Sequence, residues 1–178
     1  MRRIATGMAL ALVAAGAPLA VGAQSASAST PVFCDPGIYY NFSKVSSVWE
    51  PTNVYSAWLG PGTDTTYTVT KTGTWTATGT ATVGADAGVL FASASSSFSL
   101  AVGKSWAKAT TWSYHGGVPA SSKVDGRLMM YHLAKAFTVA KTSRNNLCKT
   151  TKTYYTLNIV APVASSDNNY TRWGIQYK

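Results

Sequence analysis

The chain has 178 residues, a formal net charge of +9 and a hydrophobic fraction of 46%. This composition is typical of a globular protein with an apolar core, and it excludes a disordered chain. The basic residues are spread along the sequence without a long run, so they predict no nucleic-acid-binding groove. A preference for an anionic cell surface is the more natural consequence of the positive charge.

Residues 1–28 have the pattern of an export signal. The basic pair Arg2-Arg3 precedes an apolar run, and Ala26-Ser27-Ala28 is a small-x-small cleavage site. Glycine and proline interrupt the apolar run, which disfavours the alternative, a transmembrane anchor. We therefore expect a secreted, extracellular protein with a single β-rich domain over residues 29–178.

The sequence contains two cysteines, Cys34 and Cys148. In an exported protein an even pair predicts a disulfide bond. Neither cysteine belongs to a CxxC motif or has a neighbouring histidine that would activate a thiol, so a structural bridge is favoured over two reactive thiols. The closed loop would be long, and its stabilisation is roughly 4–5 kcal/mol in the chain-entropy model.

Segments rich in aromatic and β-branched residues alternate with glycine and proline turns, a pattern typical of strands. Residues 127–141 are apolar on both parities, which predicts a central strand covered on both faces. A short helix is the alternative for this segment, although its Val, Phe and Tyr residues favour a strand. No sustained helical period is evident. We expect an all-β fold, either an antiparallel sandwich or an elongated twisted sheet. The predicted strands lie in residues 38–49, 53–59, 65–75, 105–114, 127–141, 149–163 and 170–178, with a break at Glu50-Pro51.

Residues 74–102 alternate between hydroxyl-bearing and small apolar side chains. This period of two is the signature of a strand, and Gly84 to Gly88 would supply the turn between two arms. The sequence therefore predicts one long Ser/Thr-rich hairpin over Thr74–Val102 that offers a hydroxyl face to water or to a partner. The candidate interaction residues on this hairpin are Trp75, Thr76, Thr78, Thr80, Thr82, Ser93, Ser95, Ser97 and Ser99.

Residues suited to catalysis are sparse and scattered. Residues 103–107 imitate a nucleophile elbow around Ser105, and residues 115–117 imitate an oxyanion loop that begins at His115. The elbow needs a helix after the serine, whereas an alternating strand is predicted there. No spacing of His, Cys, Asp or Glu matches a metal site. The sequence predicts a protein that is not an enzyme, with no catalytic residue, metal or cofactor.

The Ser/Thr-rich segment, a loop with Val118-Pro119 and the long strand Arg127–Lys141 follow one another in the chain. Over residues 65–142 this pattern resembles the pore module of aerolysin-like β-pore-forming toxins. In that family an amphipathic hairpin unfolds and pairs with copies of itself in a membrane. The resemblance implies that Thr74–Val102 is the inserting segment, and arms of about ten residues match a membrane-spanning strand.

In size, export signal and single disulfide the chain also resembles the small adaptor subunits of umbrella toxin particles. That resemblance implies a non-enzymatic adaptor of a multi-component antibacterial toxin complex, binding other secreted proteins of the same system through strand edges. We place this function first, with a hairpin that stays folded on the domain. Pore formation, with a membrane as partner, is the alternative. A third possibility is a carbohydrate-binding module in which exposed tryptophans stack on sugars. The candidate sugar-binding residues are Trp49, Trp58, Trp106 and Trp112.

Overall fold

A computed structural model of the protein describes residues 33–80 and 83–178. The predicted signal peptide, residues 1–28, lies outside the described residues. Residues 33–80 and 83–178 form six β-strands, one α-helix and two short 3-10 turns. The elements are β1 (Gly37–Tyr55), β2 (Asp64–Thr76), a 3-10 turn (Gly84–Asp86), α1 (Ala87–Phe98), β3 (Ser105–Gly117), β4 (Gly126–Arg144), β5 (Thr150–Pro162), a second turn (Asn168–Tyr170) and β6 (Thr171–Tyr177).

Strand β4 is the centre of the larger antiparallel sheet. β1 pairs along one side of β4, while β6 and β5 share the other side. β6 covers the first half of β4, and β5 covers the second half from Ala134 to Arg144. β4 thus has paired strands on both sides, which confirms its predicted central position. Its side chains largely alternate between buried and partly exposed, so the predicted cover on both faces is only partial on one of them. The all-β, antiparallel class is likewise confirmed.

The smaller sheet is a two-stranded ribbon of β2 and β3. Its register runs without a shift from Asp64 opposite Gly117 to Thr76 opposite Ser105. One face packs on the larger sheet, where Trp106 and Trp112 are buried with Met130 of β4. The other face is exposed and carries hydroxyl pairs between the strands, at Thr68–Ser113 and Thr70–Thr111. The alternation predicted for residues 105–114 is confirmed.

The predicted hairpin over Thr74–Val102 is wrong. Trp75 and Thr76 are the last residues of β2, and the chain then leaves the ribbon; Ala87–Phe98 is an α-helix. The helix forms because apolar residues at 87, 90, 91, 94 and 98 recur with helical spacing, so that one side of the segment can be buried. The sequence therefore carries two periods at once, and burial against the sheet selects the helical one.

The break predicted at Glu50-Pro51 is also wrong, because β1 continues through it to Tyr55. β1 lies at the edge of its sheet, where the missing N–H of Pro51 removes no hydrogen bond to a second neighbour. The ladder shifts register directly after Pro51. An edge position thus accommodates a proline that a central strand would not.

The disulfide between Cys34 and Cys148 is present, with Cα atoms 5.1 Å apart. It lies at the Arg144 end of β4, and the Cys34 N–H donates to the Asn146 carbonyl at 3.0 Å. Asn145 organises the turn beside it, since its side-chain oxygen accepts from the N–H groups of Leu147 and Lys149. The bond thereby fastens the chain before β1 to the turn between β4 and β5.

Candidate functional site

The candidate site is the segment that joins β2 to β3, residues 77–104, which we call the inserted segment. It covers the half of the larger sheet that the ribbon leaves open. Its buried residues form a core cluster with residues of β4 and β5. The members are Ala77, Val83, Leu90, Phe91, Ala94, Val102, Phe137, Val139, Ile159 and Ala161. The inserted segment therefore forms one layer of this hydrophobic core, and β4 and β5 form the other.

Backbone hydrogen bonds hold both ends of the inserted segment to β5 and the residues after it. Thr78 forms an isolated antiparallel bridge with Val160, and Val102 forms one with Val163. The N–H of Thr78 donates to Val160 at 2.9 Å, and the N–H of Val160 donates back at 3.3 Å. Each end is thus a single bridge rather than a full strand pairing.

Gly79 allows this close approach. Its φ is +76°, and a Cβ built there would lie 2.0 Å from the Asn158 carbonyl oxygen. Any other residue would be strained by the left-handed backbone and would collide with β5. The inserted segment can therefore rest on the sheet at this point because residue 79 is a glycine.

The helix is fixed by one aromatic cluster and by one ion pair. Phe98 makes edge-to-face contacts with Phe42 and Phe137, at centroid distances of 5.4 and 5.1 Å. Lys141 of β4 forms an ion pair with Asp86, the residue before the helix. The hydrogen bond from Lys141 to Asp86 raises the pKa of the lysine. Within residues 33–80 and 83–178, this is the one ion pair that joins the inserted segment to the sheet.

Serine side chains of the helix serve local structure rather than a shared face. The Ser95 hydroxyl donates to the Phe91 carbonyl at 2.8 Å and accepts from the Val102 N–H at 2.9 Å, which joins the helix to the bridge residue that precedes β3. Ser99 ends the helix in the left-handed conformation, with φ of 51°. The predicted hydroxyl face is therefore dispersed.

The other candidate residues of the predicted hairpin are separated in the same way. Thr76 closes the ribbon, Thr78 bonds to β5, and the Thr80 carbonyl accepts from Val83 in a turn. Ser93 and Ser97 lie on α1. Thr82 lies outside the described residues.

His132 occupies the boundary between the ribbon and the inserted segment. It is fully buried, it stacks on Trp106 with centroids 4.1 Å apart, and its Nε2 donates to the Val163 carbonyl at 2.8 Å. Its Nδ1 has no hydrogen-bond partner within the described residues. Burial lowers the pKa of His132, because a charged imidazole would lose its hydration there.

The two segments that imitate catalytic motifs, around Ser105 and His115, lie far apart. Ser105 and His115 stand ten positions apart on β3, a separation of about 33 Å along a strand. His115 instead contacts Thr66 Oγ1 through Nδ1 at 3.1 Å and Asp64 Oδ2 through Nε2 at 3.3 Å. Both His115 and Asp64 are about two-thirds exposed on the open face of the ribbon. Across residues 33–80 and 83–178, no three His, Cys, Asp or Glu side chains are grouped as a metal site requires.

Of the tryptophans proposed for sugar stacking, Trp106 and Trp112 are buried. Trp49 lies beneath the Arg172 guanidinium at 4.5 Å. Trp58 is exposed and faces Arg127 at 4.8 Å. The two buried rings have packing roles, and only the other two are placed where a ligand could reach them.

No protein-family profile, curated protein or solved structure matches the chain. In the part of the chain that the structure describes, no helix has both the length and the apolar character needed to span a membrane.

Proposed function

We propose that the protein is an exported pore-forming protein whose inserted segment leaves the sheet and extends the β2–β3 ribbon into a membrane. The observation that carries this proposal is the ribbon register. It is unbroken up to Thr76–Ser105, and the N–H of Ala77 donates to the Lys104 carbonyl at 2.8 Å, one step farther. The inserted segment thus leaves and rejoins the ribbon at two residues, Ala77 and Lys104, that are still hydrogen-bonded neighbours.

Continuing that register sorts the inserted segment into two faces. It pairs Thr78 with Gly103, Thr80 with Ala101 and Thr82 with Ser99 on one face. On the other face it pairs Ala81 with Leu100, Val83 with Phe98 and Ala87 with Ala94. Strand residues of opposite parity point to opposite sides, so one face would carry most of the hydroxyls and the other would be apolar for lipid contact, except at Ser96. Leu90 and Phe91 would form the tip, while Lys104 would stay beside the ribbon.

The length of the extended arms also fits. A membrane-spanning strand needs about 9–11 residues, and each arm between Thr76 and the tip would provide more than this. In water the apolar face would be exposed, so the docked helix is favoured there. In lipid the hairpin would pair with the hairpins of other copies of the chain into a closed sheet, because only closure satisfies the backbone N–H and C=O groups at both of its edges.

A disulfide lock tests the proposal. Thr78→Cys with Val160→Cys joins two bridge partners that exchange backbone hydrogen bonds, a geometry with Cα atoms about 5.5 Å apart that a disulfide can span. The oxidised lock should abolish dye release from vesicles, and reduction should restore it. Wild-type protein treated with the same reductant controls for loss of the Cys34–Cys148 bond.

A second pair provides the matched control. Thr68→Cys with Ser113→Cys joins two residues whose hydroxyl oxygens are 3.0 Å apart within the ribbon. The ribbon stays paired in the proposed mechanism, so this bond should leave dye release unchanged. Equal release by the locked and unlocked forms, or no release by wild type at any lipid composition, would refute pore formation.

The second candidate is the non-enzymatic adaptor, which the open edge of the ribbon favours. β3 pairs with β2 on one side, and the described chain contributes no strand to its other side. A partner's strand could add there through main-chain hydrogen bonds. The same lock separates the two functions, because capture of a secreted partner by strand addition should persist in the oxidised lock.

A further inference from the structure

The end of the larger sheet that carries the disulfide exposes apolar side chains next to cations. Phe33 precedes Cys34 and Leu147 precedes Cys148; they are 68% and 63% exposed, the highest values among the large apolar side chains that the structure describes. We call this end the disulfide-end surface. Its members are Phe33, Ile38, Leu147 and Tyr154 with the cations Arg144, Lys149 and Lys152.

The sheet register brings these residues to one level. Ile38 of β1 and Lys152 of β5 both pair with Ser143 of β4. The turn that presents Leu147 is held by Asn145, and the disulfide holds Phe33 beside it. The apolar side chains are therefore presented by fixed backbone, not by a loose tail.

The charges at this end are mostly positive. Arg144 lies over the Tyr39 ring at 4.9 Å, and Lys152 lies over the Tyr154 ring at 4.7 Å. Asp35, beside Cys34, is the one acidic residue there. Lys141, farther in, is already paired with Asp86. The exposed apolar residues at this end are surrounded by cations and tyrosines. A membrane interface has the matching arrangement, since apolar acyl chains lie beneath anionic headgroups.

The direction of the ribbon also favours the disulfide-end surface as the membrane-facing end. Leu59, just before the ribbon, bridges to Gly126 at the start of β4, whereas Thr78 after β2 bridges to Val160, which pairs with Ala136. The ribbon thus runs toward the Arg144 end. A straight continuation from Thr78 to the tip would span about 40 Å, against about 26 Å from Ala136 to Arg144, so the tip would pass beyond the disulfide-end surface.

We propose that the disulfide-end surface docks the protein on anionic phospholipid bilayers, with Phe33 and Leu147 entering the interface and Lys149 and Lys152 contacting headgroups. This inference rests on the proposed pore function for the direction of insertion. Docking precedes refolding, so it does not require the inserted segment to move.

Vesicle flotation of the oxidised, exported chain tests the docking surface. Wild type should float with vesicles that contain phosphatidylglycerol and should float much less with pure phosphatidylcholine. The double variant Phe33→Ser, Leu147→Ser should bind about tenfold more weakly or worse, because it removes two large apolar anchors. The matched control is Val124→Ser, which changes an exposed apolar residue near the opposite end of β4.

A charge pair completes the design. Lys149→Gln with Lys152→Gln should weaken binding mainly at low salt, whereas Lys104→Gln with Lys123→Gln, elsewhere on the surface, should not. Binding that is unchanged in the Phe33/Leu147 variant, or lost equally in the Val124 control, would overturn the proposal. So would capture by anionic cell-wall polysaccharide without any flotation.

The Thr78–Val160 lock separates this inference from the pore proposal. The oxidised lock should float as well as wild type while releasing no dye. Flotation of wild type without dye release would leave the docking surface intact and refute the pore. Dye release that persists in the Phe33/Leu147 variant would refute the docking surface and leave the pore intact.

Discussion

Substituting Gly79 tests how tightly the inserted segment rests on the sheet. In Gly79→Ala the new Cβ would lie 2.0 Å from the Asn158 carbonyl oxygen and 3.3 Å from the Ile159 Cα. These atoms belong to the backbone of β5, so no side chain can rotate away to make room. The inserted segment itself must move outward at this point.

The cost has two parts. The left-handed backbone costs an alanine about 1 kcal/mol. Moving outward breaks the two backbone hydrogen bonds of the Thr78–Val160 bridge, each with a net contribution of about 1 kcal/mol. We expect the free energy of unfolding to fall by roughly 3 kcal/mol, measured by urea denaturation of the oxidised protein.

Two other glycines of the same segment are matched controls. Gly84 also has a positive φ, of 52°, but a Cβ there meets nothing within 4 Å. Gly84→Ala should therefore cost only the conformational part, about 1 kcal/mol. Gly88 lies in α1 with open space around it, so Gly88→Ala should be neutral or stabilising by up to about 1 kcal/mol. If Gly79→Ala were no less stable than Gly84→Ala, the close approach to β5 would be refuted. In the extended hairpin Gly79 needs no special backbone, so the pore mechanism also requires faster dye release by Gly79→Ala.

Three further predictions concern the disulfide, the buried histidine and catalysis. Replacing Cys34 and Cys148 together by serine should lower the free energy of unfolding by roughly 4–5 kcal/mol in the chain-entropy model, and an unchanged urea midpoint would contradict this. Burial lowers the pKa of His132 in the folded state, so the unfolded state binds the proton first as pH falls below about 6.5. Stability should decline there by at most about 1.4 kcal/mol per pH unit from this residue, and His132→Gln should remove that part of the pH dependence, whatever its effect at neutral pH. Purified protein should hydrolyse no ester, peptide or glycoside substrate; activity lost in Ser105→Ala or His115→Ala would show that an active site exists on β3.

Most strands could be predicted from the sequence because residue type supported one structure. Residues 127–141 are apolar on both parities, which also fits a buried helix, but Val, Phe and Tyr favour a strand in the middle of a sheet. The alternation of residues 105–114 needed one buried side, and the ribbon provides it. The two cysteines allowed a single pairing. Each of these features depends on composition and spacing alone.

The path of the inserted segment could not be predicted in this way, since both periods are present in its sequence. The helical signal was nevertheless visible at Ala87, Leu90, Phe91, Ala94 and Phe98. Choosing between the helical and the strand period requires knowing which surface the segment packs against. The ribbon leaves half of the larger sheet uncovered, and a helix with one apolar side fills that space, whereas a hairpin of small alternating residues would cover it poorly.

The docked helix and the extended hairpin would use different residues of the inserted segment. A helix needs its apolar residues at 87, 90, 91, 94 and 98, and the docked state uses them. The helix gains nothing from the hydroxyls of Ser93 and Ser97, whereas Thr74 and Thr76 already lie on the exposed face of β2, and Ser95 and Ser99 have local roles. In the extended register those same hydroxyls all fall on one face, opposite Val83, Phe98 and Leu100. A second conformation would give a common face to the hydroxyls that the docked one disperses, and this pattern supports the proposal that the inserted segment leaves the sheet.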